Sequence, residues 1–165
     1  MTTDILIRPI SEADAEGFRL AVGAVAQERR YLMSLEAFSP EAAREFVRNN
    51  LAVHNPHFIA VQGERVVGWC DICRLGPEGF RHAGRLGVGL VREFRGQGWG
   101  RQLMTAALVA AATQEFQRIE LEVFGSNAAA RRLYESLGFR VEGIKARARI
   151  LDGREDDVVL MALWF

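Results

Sequence analysis

Leu86-Gly87-Val88-Gly89-Leu90-Val91-Arg92-Glu93-Phe94-Arg95-Gly96-Gln97-Gly98-Trp99-Gly100-Arg101 is the stretch on which the reading of this chain turns. Its first six residues read as an apolar strand, and the run from Arg101 to Gln114 reads as a helix. Gly96, Gly98 and Gly100 stand in the turn between them, where a missing Cβ lets the backbone come close to a ligand. The unpaired N–H groups of a first helical turn, and the positive end of its dipole, favour an anion there. The stretch therefore predicts a phosphate cradle. It is not a P-loop, which needs Lys and then Ser or Thr after the last glycine; here Arg101-Gln102 follows. The dinucleotide pattern G-x-G-x-x-G is missed as well, because the glycines fall at 96, 98 and 100.

A second block lies downstream. Asn127-Ala128-Ala129-Ala130-Arg131-Arg132-Leu133-Tyr134-Glu135-Ser136-Leu137-Gly138-Phe139 reads as a short helix, capped by Ser126 or Asn127 and stopped by Gly138. Residues 130, 133, 134 and 137 share one apolar face, so Tyr134 is expected on the buried side. Before it, Arg118-Ile119-Glu120-Leu121-Glu122-Val123-Phe124 alternates as a strand. The R-x-x-G-x-G of Arg95, Gly98 and Gly100 resembles the acyl-coenzyme A pyrophosphate loop of the GNAT superfamily of N-acetyltransferases. The N-x-x-A-x-x-L-Y-x-x-x-G-F of residues 127–139 resembles that superfamily's second diagnostic block, in the same order along the chain.

The remaining elements extend the pattern. Asp4 to Pro9 reads as a strand, Ser11 to about Ala26 as a helix with Asp14 completing a weak capping box, and Pro40 opens a second helix capped by Ser39. Phe58–Gln62 and Arg65–Cys73 form a hairpin, as do Phe139–Leu151 and Glu155–Trp164 around Asp152-Gly153. The order β-α-α-β-β-β-α-β-α-β-β is an α/β sandwich in one domain, with a mixed sheet of about seven strands and helices on both faces.

The resemblance implies an acetyl-CoA-dependent N-acetyltransferase with acetyl-CoA as co-substrate. It assigns the diphosphate to the amides of Arg95, Gly96, Gln97, Gly98, Trp99, Gly100 and Arg101, and the pantetheine arm to the backbone of Leu90 and Val91 and to Asn127. It gives the thioester carbonyl to the N–H of Val91 and the general-acid role to Tyr134. Many members carry a Glu on the cradle strand, and Arg85-Leu86-Gly87-Val88 has none. Glu122, in the sequence L-E-V twelve residues before Tyr134, is the expected general base; Glu120, Asp71 and His82 are reserves. Arg101, Arg131 and Arg132 are candidates for the 3′-phosphate.

The acceptor is written less clearly. Glu28, Arg29, Tyr31 and Glu36 fall between the first two helices, and alternation puts Lys145, Arg147 and Arg149 on one strand face, to receive a carboxylate or to guard an edge. The expected acceptor is a small-molecule amine, an amino acid or similar; the alternatives are a protein N-terminal amine and a non-catalytic acyl-CoA-binding sensor. The 165 residues carry 21 basic and 21 acidic side chains, so no net field points to nucleic acid or a membrane surface. No basic-then-apolar leader opens the chain and no apolar run is long enough to span a bilayer, which makes the cytoplasm the expectation. Cys70 and Cys73 spell C-x-x-C, but on a strand positions i and i+3 face opposite ways, so no metal site is expected. A homodimer would cover the edge strands.

Overall fold

The computed structural model describes residues 4–165. Met1 to Thr3, read above for a leader, lie outside the described residues. These residues form β1 (Ile5–Pro9), α1 (Ala15–Ala26), α2 (Pro40–Ala52), β2 (His57–Gln62), β3 (Arg65–Arg74), β4 (Ala83–Leu90), α3 (Trp99–Thr113), β5 (Arg118–Phe124), α4 (Ala128–Ser136), β6 (Arg140–Leu151) and β7 (Arg154–Trp164). The seven strands make a mixed sheet in the order β1-β2-β3-β4-β5-β7-β6. Pairing is antiparallel except between β4 and β5. By contact the chain divides into two compact units, residues 1–73 with 86–114 and residues 74–85 with 115–165.

In the first unit the sheet is covered on both sides. The Trp69 ring meets the edge of Phe18 from α1, with centroids 6.0 Å apart. A Cβ on the preceding residue, Gly68, would stand 3.1 Å from Leu103 of α3. Neighbouring strand residues point to opposite faces, so α1 and α3 lie on opposite sides. Phe18 also stacks on Phe46 of α2 at 5.8 Å, and Phe18, Ile59, Ile72, Leu103 and Met104 are almost wholly buried. The entry to α1 is capped as the spacing suggests: Asp14 accepts from the Ser11 N–H at 2.8 Å and pairs with Arg8 at the same distance. The Arg8 guanidinium and these hydrogen bonds hold the Asp14 carboxyl well below the usual carboxylate range.

In the second unit β5 alternates as its sequence does, burying Ile119, Leu121 and Val123 and turning Arg118, Glu120 and Glu122 to the other face. It pairs with β7 over its full length. Asp152 and Gly153 join β6 to β7 with φ of 52° and 73°, the paired left-handed residues that a tight hairpin turn requires. The register of β6 against β7 slips between Lys145 and Arg149, where Arg147 takes φ of 52°. A slip of this kind breaks the even alternation that the three cations showed in sequence.

Around the donor loop β4 and α3 both begin earlier than the sequence reading placed them. β4 starts at Ala83, because its first residues form a parallel ladder with β5 (Ala83 with Arg118, Gly84 with Ile119, Arg85 with Glu120). α3 starts at Trp99, directly after Gly98 in the left-handed region at φ 88°.

Candidate active site

The donor loop of the first unit is built as a strand end, a short turn and a helix start. Gly96 (φ 73°) and Gly98 (φ 88°) both sit in the left-handed region, where a side chain would be strained. A Cβ at either would meet nothing within 4 Å, so the loop is open above both glycines. The first bond of α3 runs from the Gln102 N–H to the Gly98 carbonyl at 3.2 Å. The amides of Trp99 and Gly100 therefore precede the helical ladder and have no acceptor within it. Gly98 contributes no capping side chain, so these donors remain for a ligand, together with the helix dipole. This arrangement suits a diphosphate.

Arg95 has a different task from its neighbours. Its own N–H bonds back to the Arg92 carbonyl at 3.3 Å. Its guanidinium grips both oxygens of Glu28, one of them at 3.2 Å, while Nε donates to the Leu90 carbonyl at 2.9 Å. The same group lies 4.6 Å over the Tyr31 ring. Arg95 thus holds the strand end and the connection after α1 together. Glu28 and Tyr31, read above as acceptor contacts, are spent on this lock.

The Val91 assignment needs correction. Its N–H donates to the Val67 carbonyl at 2.9 Å and is not open to a thioester. Backbone N–H groups alternate sides along a strand, so those directed away from β3 belong to Leu90 and Val88. Residues 87–90 are half-exposed, although β4 lies inside the sheet order.

In the second unit Tyr134 is buried on α4, its ring 6.1 Å from Phe139. Asn127 caps α4, its Oδ1 accepting from the Ala130 N–H at 3.3 Å. Glu122 is half-buried, and its Oε1 accepts from Lys145 Nζ at 3.2 Å. Glu120 pairs with Arg85 at 3.0 Å and with Arg118 at 3.4 Å. The supposed cation face of β6 is also redistributed. Lys145 goes to Glu122, Arg147 Nε donates to Glu155 at 2.8 Å, and Arg149 lies 4.2 Å over the Phe124 ring. Alternation failed there because the register slips within the strand.

One cluster was not assembled from the sequence. Asn50 of α2, His57 of β2 and Asp71 of β3 are the buried polar residues of the described core, with Cys73 beside them. Their signal was visible as polar residues inside the apolar runs His57–Gln62 and Trp69–Cys73, but the pairing of those runs was needed to join them. Burial lifts the Asp71 carboxyl to about 7, against a small opposing effect of the Cys73 thiol. Burial lowers His57 to about 4, and burial followed by the Asp71 charge lifts the Cys73 thiol to about 12. No group of three or more His, Cys, Asp or Glu among the described residues is placed to hold a metal. No helix among them is long and apolar enough to cross a membrane.

The uncharacterized N-acetyltransferase YycN of Bacillus subtilis (strain 168) is 30% identical over 87 residues, which span 53% of this chain and 56% of that protein. The chain thus matches little more than half the length of that curated relative. A ribosomal-protein-alanine N-acetyltransferase from Brucella melitensis superposes with a TM-score of 0.89 at 25% identity, covering 97% of this chain and 99% of that one. The fold is shared with a GNAT superfamily phosphinothricin acetyltransferase from Sinorhizobium meliloti solved with AcCoA, at TM-score 0.90 and 16% identity over 98% of this chain and 88% of that one. It is shared too with yncA of Salmonella typhimurium solved with its cofactor acetyl-CoA, at TM-score 0.90 and 20% identity, covering 97% and 93%. The family model for the acetyltransferase (GNAT) family matches residues 24–139, which include the donor loop and α4, and the chain belongs to that family.

Proposed function

We propose that this GNAT acetyltransferase transfers an acetyl group from acetyl-CoA to a primary amine by direct attack, with both substrates bound together. The observation that carries the reading is the donor loop, whose left-handed Gly96 and Gly98 leave open space above amides that have no helical acceptor. In this reading the amides of Gly96 to Arg101 bind the diphosphate, and the Leu90 and Val88 amides bind the pantetheine arm and thioester. Asn127 adds a contact to that arm. Arg101, Arg131 and Arg132 are the candidates for the 3′-phosphate.

The chemistry needs a neutral amine and a proton for the departing thiolate. Tyr134 supplies the latter from its phenol. Glu122 is a carboxylate able to receive the amine's proton once its ion pair with Lys145 opens. The amine nitrogen forms its bond to the carbonyl carbon, the carbon–sulfur bond breaks, and the thiolate takes the phenolic proton. The nitrogen, cationic after its attack, sheds its extra proton to solvent as the amide forms, and the tyrosinate recovers one from solvent.

The acceptor is proposed to be a small-molecule amine of the amino-acid type, on the strength of the chain's resemblance to that branch. Lys145, Arg147 and Arg149 are engaged within the second unit and are not its carboxylate receptor in this reading. A protein N-terminal amine is the second reading, favoured by the near-complete superposition on the ribosomal-protein-alanine enzyme. Acetyl-CoA turnover followed by thiol release, over free amino acids, alanine-initiated peptides, polyamines and aminoglycosides, separates them. Selective turnover of peptides would replace the first reading by the second. Acetyl-CoA binding without turnover of any amine would favour the non-catalytic sensor. A cytoplasmic homodimer belongs to the same proposal.

A further inference from the structure

On the first unit's sheet, a carboxylate from β3 borders the space that a side chain at Gly87 of β4 would enter. A Cβ built on Gly87 would stand 3.5 Å from one Asp71 carboxylate oxygen and 3.6 Å from the other. Gly87 itself is half-exposed, so this buried carboxyl lies against an accessible piece of the cradle strand. That strand is the one without a Glu of its own.

The surroundings of Asp71 are those of a proton carrier rather than of an ion pair. His57 stands directly opposite it in the β2–β3 register, on the same face. The Asn50 amide Nδ2 lies 3.3 Å from His57 Nδ1, and its orientation is fixed by Oδ1, which accepts from Asn55 at 3.0 Å and from the Cys73 thiol at 3.4 Å. Nδ1 is thus an acceptor, and the neutral ring carries its hydrogen on Nε2. Nε2 is buried with no hydrogen-bond partner among the described residues, although His57 is only 4% exposed. Among the described residues Asp71 accepts only from the weak Cys73 thiol, at 3.5 Å. A buried donor without a partner, and a buried carboxyl held only by a weak thiol, are both costly unless something polar comes to them.

From this geometry we infer that Asp71 is a proton acceptor for the attacking amine, with His57 Nε2–H beside it as the donor that orients the amine or an intervening water. This rests on the acetyl-transfer reading given above. The ammonium loses one proton to the Asp71 carboxylate, directly or through that water, and the neutral amine attacks the thioester as already described. Asp71 returns the proton to solvent after the product leaves. The groups facing Asp71 are His57 from β2, Cys73 from its own strand and Gly87 from β4. Beyond them α2 contributes Asn50 and α1 contributes Phe18, neither of which titrates. The Asp71 carboxyl, raised to about 7, then titrates close to neutrality.

The experiment is the pH dependence of kcat/KM by thiol release, with two amine acceptors of different pKa, for the native chain and for Asp71→Asn, Gly87→Ala and Glu122→Gln. The native profile is expected to rise through a limb near neutrality that stays in place when the amine is changed. In Asp71→Asn that limb disappears and the rate above it falls about 100-fold or more, while acetyl-CoA still shifts the melting temperature. Gly87→Ala keeps the fold, since its Cβ makes an ordinary contact, and moves the limb to higher pH by enclosing the carboxyl further. In Glu122→Gln the limb persists, because here Asp71 takes the place given above to Glu122 as the amine's proton acceptor; a limb lost in Glu122→Gln and kept in Asp71→Asn returns that role to Glu122. If the limb survives in Asp71→Asn, or stays unmoved in Gly87→Ala, the inference falls while the acetyltransferase reading stands. A native chain that turns over no amine overturns both.

Discussion

The donor loop and the β6–β7 hairpin are both rich in groups that attract anions, yet they spend them in opposite ways. Around Gly96 to Arg101 the attracting groups are backbone amides at a helix start, and no helical acceptor takes those of Trp99 and Gly100. On β6 they are side-chain cations, and Glu122, Glu155 and the Phe124 ring occupy Lys145, Arg147 and Arg149. A fold that leaves donors unmatched at one place and matches them at another separates a ligand site from a structural surface.

The largest expected effect comes from closing the open loop. Gly98→Val places a branched side chain at φ 88° and in the space the diphosphate would enter. Acetyl-CoA affinity should fall by about 100-fold or more, roughly 3 kcal/mol, as read by calorimetry; retained affinity would show that the amides are not the grip. Next, Tyr134→Phe removes the phenolic proton but keeps the buried ring. Turnover should drop about 100-fold with the acetyl-CoA dissociation constant unchanged, and an unchanged rate would remove the acid role.

The buried pair gives a smaller effect, with a sign that differs for each partner. A carboxyl raised in the fold stabilises most below the ordinary carboxylate range and loses that contribution as pH rises from about 4 to about 7. A histidine lowered by burial contributes above its unfolded pKa of about 6.5 and loses that as pH falls towards about 4. The two trends oppose each other over the shared window. Asp71→Asn removes only the first, so its stability relative to the native chain should grow with pH, by an amount on the order of 3 kcal/mol between about pH 4 and pH 8. Chemical denaturation at several pH values reads this, and a difference independent of pH would contradict it. Smallest is Arg147→Ala on the hairpin. An exposed pair of this kind is worth about 0–1 kcal/mol, and the KM for a carboxylate-bearing amine should not move. A clear rise in that KM would restore the carboxylate receptor.

How much was legible in the sequence follows the same division. Backbone devices were written locally: the left-handed glycines, the Ser39-Pro40 helix start, the Asp152-Gly153 turn and the alternation of β5 each depend on residues within a few positions. Devices made by pairing were not. The Arg95–Glu28 lock joins residues 67 apart in the chain. The slip between Lys145 and Arg149 arises from the register against β7, and the meeting of His57 with Asp71 required β2 to find β3. The Val91 assignment failed on a finer point, since which strand amides are open depends on which neighbour the pleat presents them to.

Backbone amides at the start of α3 are the proposed grip on the diphosphate, and the rest of the site depends on them. Calorimetric titration of the native chain with acetyl-CoA, and in parallel with an acetylated pantetheine that lacks the diphosphate, tests that grip most directly. Tight binding is expected of the first, and binding about 100-fold weaker or worse of the second. Equal affinity for the two would contradict it.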